Sequence, residues 1–184
     1  MKKTVLTFGL ISGAVISAMM LVVLPFQDAI GFDRGEVIGY TSMVVAFLLI
    51  FFGVRSYRDR FGGTVGFLRA FTVGALIAGV ASICYVATWQ VIYYKLAPDF
   101  VAKYQAHMIE KERAAGATEA QVAQKKAEMD KFADLYRNPA INAAITFVEP
   151  LPVGLVIALV SAGVLSRRRK RVEGDLAMVA GVRV

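Results

Sequence analysis

Four long apolar runs constrain this chain more than any other feature in it. They lie at about residues 5–24, 37–54, 71–93 and 141–165. A hydrocarbon core of roughly 30 Å takes about 20 helical residues to cross, and each run is near or above that length. Backbone N–H and C=O groups inside a bilayer must be satisfied within the segment, so each run is expected to be a helix. Soluble chains are about 45–50% apolar. This one is 57% hydrophobic over 184 residues, as follows when so much of a chain is given to lipid. The second run is the shortest, and its flank with Ile38 and Tyr40 can lengthen it.

The placement of charge orients these spans. A formal net charge of +7 would suit a nucleic-acid partner, but the basic residues are not gathered on a soluble fold. Lys2 and Lys3 precede the first run, Arg55, Arg58, Arg60 and Arg69 lie between the second and third, and Arg167, Arg168, Arg169, Lys170 and Arg171 follow the fourth. With four crossings all three groups fall on one side. The opposite short connection, residues 25–36, holds Arg34 against Asp28, Asp33 and Glu36. This is the positive-inside pattern, which predicts that both termini are cytoplasmic and that nucleic acid is not a partner. The long connection from Lys95 to Arg137 carries eight basic and seven acidic residues, and long translocated segments tolerate such charge. The run from Arg167 to Arg171 reads as a lipid-headgroup contact, drawn to anionic lipid by roughly 1 kcal/mol per residue. Residues 172–184 make a short mixed cytoplasmic tail.

The N-terminus has the charged start of a signal peptide. Its apolar run is longer than a usual signal core and no small-x-small site closes it, so an uncleaved first span is expected. Cys84 is the one cysteine, which excludes an intramolecular disulfide.

Small residues recur at four-residue spacing in three spans: Gly9, Gly13 and Ser17; Gly74, Ala78 and Ser82; Gly154, Ala158 and Ala162. Such stripes let helices approach closely. They are expected to seal the bundle within one chain, with a homodimer seam as the alternative. Gly62 and Gly63 mark a tight turn before the third span, and Trp89, Tyr93 and Tyr94 an aromatic belt at its far end. After Pro98 come two amphipathic stretches. Phe100, Tyr104 and Met108 stripe the first; Val122, Met129, Phe132 and Tyr136 stripe the second. Thr118 and Gln121 have capping-box spacing at the start of the second, and Asn138-Pro139 ends it or joins it to the fourth span. The two stretches predict a helical hairpin at about residues 98–137. His107 reads as a solvated surface residue, and with no second His or Cys placed beside it neither a metal nor a cofactor is expected.

Glu149 is the principal candidate site. It lies inside the fourth run, where an acidic side chain costs on the order of 3 kcal/mol. Pro150 and Pro152 follow it and break the helix by removing backbone donors. Antiparallel pairing brings Tyr85, Thr88 and Trp89 of the third span to similar depth, and Thr88 or Tyr85 can donate to the carboxyl. Two accounts compete. In one, Glu149 is a proton or cation site at a broken helix. In the other, which the lack of a second acid favours, it is a structural hydrogen-bonding group. Enzymatic chemistry is not expected, because the chain has no His/Glu metalloprotease pair, no Ser–His arrangement and no polar cluster on one membrane face.

The stretch Phe51-Phe52-Gly53-Val54-Arg55-Ser56-Tyr57-Arg58, then Gly62-Gly63, and Asn138-Pro139 leading to Phe147-Val148-Glu149 carry a resemblance. To about Arg168 the chain resembles the bacterial membrane proteins grouped as domain of unknown function 4199. The resemblance implies a four-span inner-membrane protein with a soluble segment between its last two spans. It brings no activity and no catalytic residue.

Together these readings predict an all-α polytopic membrane protein. Residues 1–171 form a four-helix transmembrane bundle in a bacterial inner membrane, with a periplasmic helical hairpin between spans three and four. The expected function is that of a non-enzymatic accessory or scaffold subunit presenting the hairpin to an envelope partner. The alternative is a small transporter or ion-coupled component using Glu149, alone or as a homodimer.

Overall fold

The computed structural model describes residues 1–166, and these are helical almost throughout, with no strand among them. In chain order the helices are α1 (Lys2–Val23), α2 (Gln27–Ile30), α3 (Phe32–Arg60), α4 (Phe67–Val91), α5 (Phe100–Ala114), α6 (Glu119–Tyr136), α7 (Pro139–Val148) and α8 (Leu151–Leu165). Four stretches are long and apolar enough to cross a membrane: Lys2–Ile30, Phe32–Arg60, Phe67–Leu96 and Pro139–Leu165. The basic run from Arg167 to Arg171 and the tail 172–184 lie outside the described residues.

The helices overrun the apolar runs at both ends. Hydropathy marks where side chains leave hydrocarbon, whereas the backbone helix continues until a residue stops it. The connection 25–36, read from the sequence as a loop, is therefore largely helical. Pro25 tightens one turn, Leu24–Phe26, into a 3₁₀ form, α2 follows, and Gly31 at φ 77° reverses the chain into α3. At the other end of α3, Gly62 and Gly63 take φ of 78° and 79°, a region closed to most side chains, and Gly63 N donates to the Arg58 carbonyl at 3.1 Å. The second span is thus not the shortest element: α3 runs for 29 residues.

Packing is tightest where the small residues lie. α1 and α8 each pack on both α3 and α4, and α3 also meets α4. Lipid tails are as apolar as leucine, so burial alone gives no drive for helices to associate; close approach and dispersion do. A Cβ added at Gly9 would lie 2.6 Å from the Val80 Cβ, and one at Gly13 would lie 2.5 Å from the Cys84 Cβ. On the other flank of α4 an added Cβ at Gly154 would stand 2.7 Å from the Ala78 Cβ, and at Gly74 2.8 Å from the Ala158 Cβ. The small-residue stripes are spent within the chain. Gly154→Val should accordingly wedge α8 from α4 and cost about 1–3 kcal/mol, as overpacking of a full interface does. Thermal unfolding in detergent reads this, with the exposed Val156→Ala as the neutral control.

The bundle is not equally closed along its length. On α1 nothing beyond Ile16 is buried, and on α3 nothing before Ser42. α4 stays covered further out, through Tyr85, because α7 packs on it. α7 rests on α4 and α6, whereas α8 rests on α3 and α4. Toward the α5–α6 end, therefore, α3 parts from the α4–α7 pair.

α5 and α6 pack on each other, with Gln105 bonded to Asp130. The capping box expected at Thr118 is present, the Thr118 N–H donating to Gln121 Oε1 at 2.8 Å. The apolar stripes are largely used internally. Phe32 at the start of α3 packs against Phe100, Tyr104 and His107 of α5, with ring centroids 5.6, 5.5 and 5.2 Å away. Val122 and Tyr136 are buried, and Phe132 stacks on Tyr136. Around Phe32, Lys103 Nζ lies 3.1 Å from Asp28, Lys111 Nζ 2.7 Å from Asp33, and His107 Nε2 3.3 Å from Asp33. His107 is thus half-covered by the α2–α3 elbow rather than free in solvent. Nothing local signals this, because its partners lie 74 residues away.

Candidate functional site

Every membrane-depth carboxyl needs a reason, and the structure surrounds Glu149 with polar groups. Asn138 caps α7, its Oδ1 accepting from Ala140 N at 2.9 Å, and Pro139 takes the first helical position, where no N–H is required. α7 then runs ten residues to the break at Glu149 and Pro150. At about 1.5 Å per residue Glu149 lies about 16 Å along the helix from the Asn138 cap. Pro150 and Pro152 have no N–H to offer the carbonyls of Thr146 and Val148, so the ladder opens beside the carboxyl.

Asn142, Thr146 and Glu149 recur at intervals of four and three and share one face of α7. That face meets α4 and α6. Gln90 Nε2 donates to Asn142 Oδ1 at 2.8 Å, and Asn142 Nδ2 donates to the Tyr136 carbonyl at 3.4 Å. Trp89 Nε1 donates to Tyr136 Oη at 2.8 Å, and that hydroxyl lies 3.3 Å from Thr146 Oγ1. Burial pushes the Tyr136 phenol above its ordinary value, so it stays protonated as the junction of α4, α6 and α7. Asn142 and Thr146 are both buried, with their polar atoms partnered.

Glu149 ends this stripe. Tyr85 Oη, on a buried side chain, donates to Glu149 Oε2 at 3.1 Å. The rest of Glu149 is exposed on the flank of the bundle. Glu36 and Tyr40 stand one turn apart on the parted end of α3.

Thr88 does not reach the carboxyl. Its Oγ1 is 2.7 Å from Ser17 Oγ of α1 and 3.0 Å from the Cys84 carbonyl. Trp89, read as part of an aromatic belt, packs edge-on against Phe100 at 4.9 Å and bonds Tyr136. The expectation of no polar cluster on one membrane face is also overturned. The spacing of Asn142, Thr146 and Glu149 was the available signal. Among the described residues no three His, Cys, Asp or Glu side chains gather as a metal site.

Residues 7–167 match the family described as Protein of unknown function (DUF4199). The chain belongs to that family. No curated protein and no solved structure matches it. The family match takes in most of α1 and all of α2 to α8, including both the Tyr85–Glu149 pair and the Tyr136 junction, so this polar arrangement lies within the DUF4199 domain. A carboxyl beside a phenol at this depth can hold and release a proton, or hold a small cation whose charge balances its own.

Proposed function

We propose that this DUF4199 protein is a non-enzymatic, ion-coupled component of a bacterial inner membrane, in which the Tyr85–Glu149 pair binds a proton or small monovalent cation. The supporting observation is the position of Glu149. It sits at a proline break, is exposed on the bundle flank, and takes one hydrogen bond from a buried phenol. A purely structural carboxyl would be enclosed and fully bonded, as Asn142 and Thr146 are.

The orientation follows from charge. Basic residues cluster at the end of the bundle away from α5 and α6, which favours cytoplasmic termini and a periplasmic hairpin. The test is proton and monovalent-cation flux in liposomes, comparing the wild type with Glu149→Gln. Ion-dependent flux in the first and none in the second supports the proposal; wild-type liposomes as tight as empty ones count against it.

A second reading, an accessory subunit docking an envelope partner through the hairpin, rests on one observation. The outer surface of α5 carries a shallow depression lined by Ala106, Ile109 and Ala114 and flanked by Glu110 and Arg113. Crosslinking in native membranes through Lys125, Lys126 and Lys131, followed by mass spectrometry, distinguishes the two. A stoichiometric heterologous partner favours docking, and recovery of the chain alone removes its support.

A further inference from the structure

The parted end of α3 raises a physical question. Residues 32–41 include no buried side chain, so the bundle core does not fix where they stand. At their start they meet α5. Phe32 sits among Phe100, Tyr104 and His107, Lys111 and His107 meet Asp33, and Lys103 meets Asp28 just before the Gly31 turn.

The hairpin's two ends are held by unlike forces. Its α6 end enters the buried junction of Trp89, Tyr136, Thr146 and Asn142, where each bond is shielded from water. Its α5 end is held by the Phe32 ring contacts and by ion pairs whose partners are about half exposed or more, apart from the His107 ring. Salt screens exposed pairs and hardly touches buried hydrogen bonds. Both links that let α5 move separately are present. A π-helical turn at Ile92–Leu96 joins it to α4, and Gly116 at φ 82° joins it to α6.

We propose that α5 is a releasable strap. Its clasp on Asp28, Phe32 and Asp33 sets the position of the outer part of α3, and its release lets that part of α3 move relative to α4 and α7. Glu36 and Tyr40, one turn apart, ride on the moving part. Both Lys103 and Lys111 hold their protons more firmly than usual because of hydrogen bonds to Asp99 and Asp28 and to Asp33 respectively, which accords with clasped ammonium groups.

The experiment uses the full chain in nanodiscs, with Cys84→Ala and spin labels on cysteines at Arg34 and Ala127, two exposed positions outside the clasp. At low salt one narrow distance distribution is expected. High salt, or Lys111→Glu, should add a second, longer population. The exchange of both charges, Asp33→Lys with Lys111→Asp, should restore the single distance, and Lys126→Glu should leave it unchanged. A distribution indifferent to salt and to Lys111→Glu overturns the strap, as does failure of the charge exchange to restore it. If the distances respond but liposomes show no flux, the strap stands and the ion-coupled function falls.

Discussion

Glu149→Gln should reduce ion flux to the level of protein-free liposomes while the protein remains folded. The substitution keeps the side chain's shape, and its carbonyl oxygen can still accept from Tyr85 Oη, now 3.1 Å from Glu149 Oε2. It removes only the ability to bind a proton or balance a cation. Two companion variants separate chemistry from architecture. Tyr85→Phe deletes one hydrogen bond to an ionisable group, worth about 1.5–3 kcal/mol, so the site should weaken by about 10- to 150-fold without being abolished. Glu149→Asp keeps the charge but withdraws it by one methylene and should retain partial flux. Melting temperatures measured alongside decide the matter. If Glu149→Gln unfolds the bundle, the carboxyl is structural; if it conducts like the wild type, the ion site is elsewhere or does not exist.

The second large effect is expected away from Glu149, at Asn142. This side chain is fully buried and joins three helices, accepting from Gln90 and donating to the Tyr136 carbonyl. Asn142→Leu nearly preserves volume but leaves the Gln90 amide and that carbonyl without their partner. An orphaned buried polar group costs about 1–3 kcal/mol, while hydrogen bonds between membrane helices average only about 0.6 kcal/mol. The burial of Asn142 places the expected loss nearer the first figure, at about 1–3 kcal/mol in total. Because the bond ties α7 to the end of α6, trypsin should then cut at Arg137 faster than in the wild type. Ala144→Leu, on the exposed side of the same helix, should change neither stability nor cleavage. Equal stability of the Asn142 and Ala144 variants would falsify the assignment of this junction as the hairpin's anchor.

How far the sequence could be read depends on the range of the forces involved. Each span is announced by about 20 consecutive residues acting alike, and the capping box at Thr118 by four neighbours. Both are local, and both stand in the structure. The small-residue stripes were legible as packing faces, but their partners were not. That Gly13 meets Cys84 and Gly154 meets Ala78 depends on which helices become neighbours. Glu149 was conspicuous because one acid in an apolar run is conspicuous. Tyr85 and Thr88 were indistinguishable as its partner by depth, and only the rotation of α4 selected Tyr85.

The amino-acid sequence by itself determined the number of spans, the helical class and the place of the proline break, because bilayer thickness and the missing proline N–H act on consecutive residues. Tertiary structure alone decided that Tyr136 gathers Trp89 and Thr146 and that α5 meets Asp28 and Asp33. These contacts join residues 10 to 78 positions apart, beyond any helical period. They exist only once four helices have chosen their neighbours, and that choice rests on shape complementarity summed over whole helix faces, which no single stretch of sequence contains.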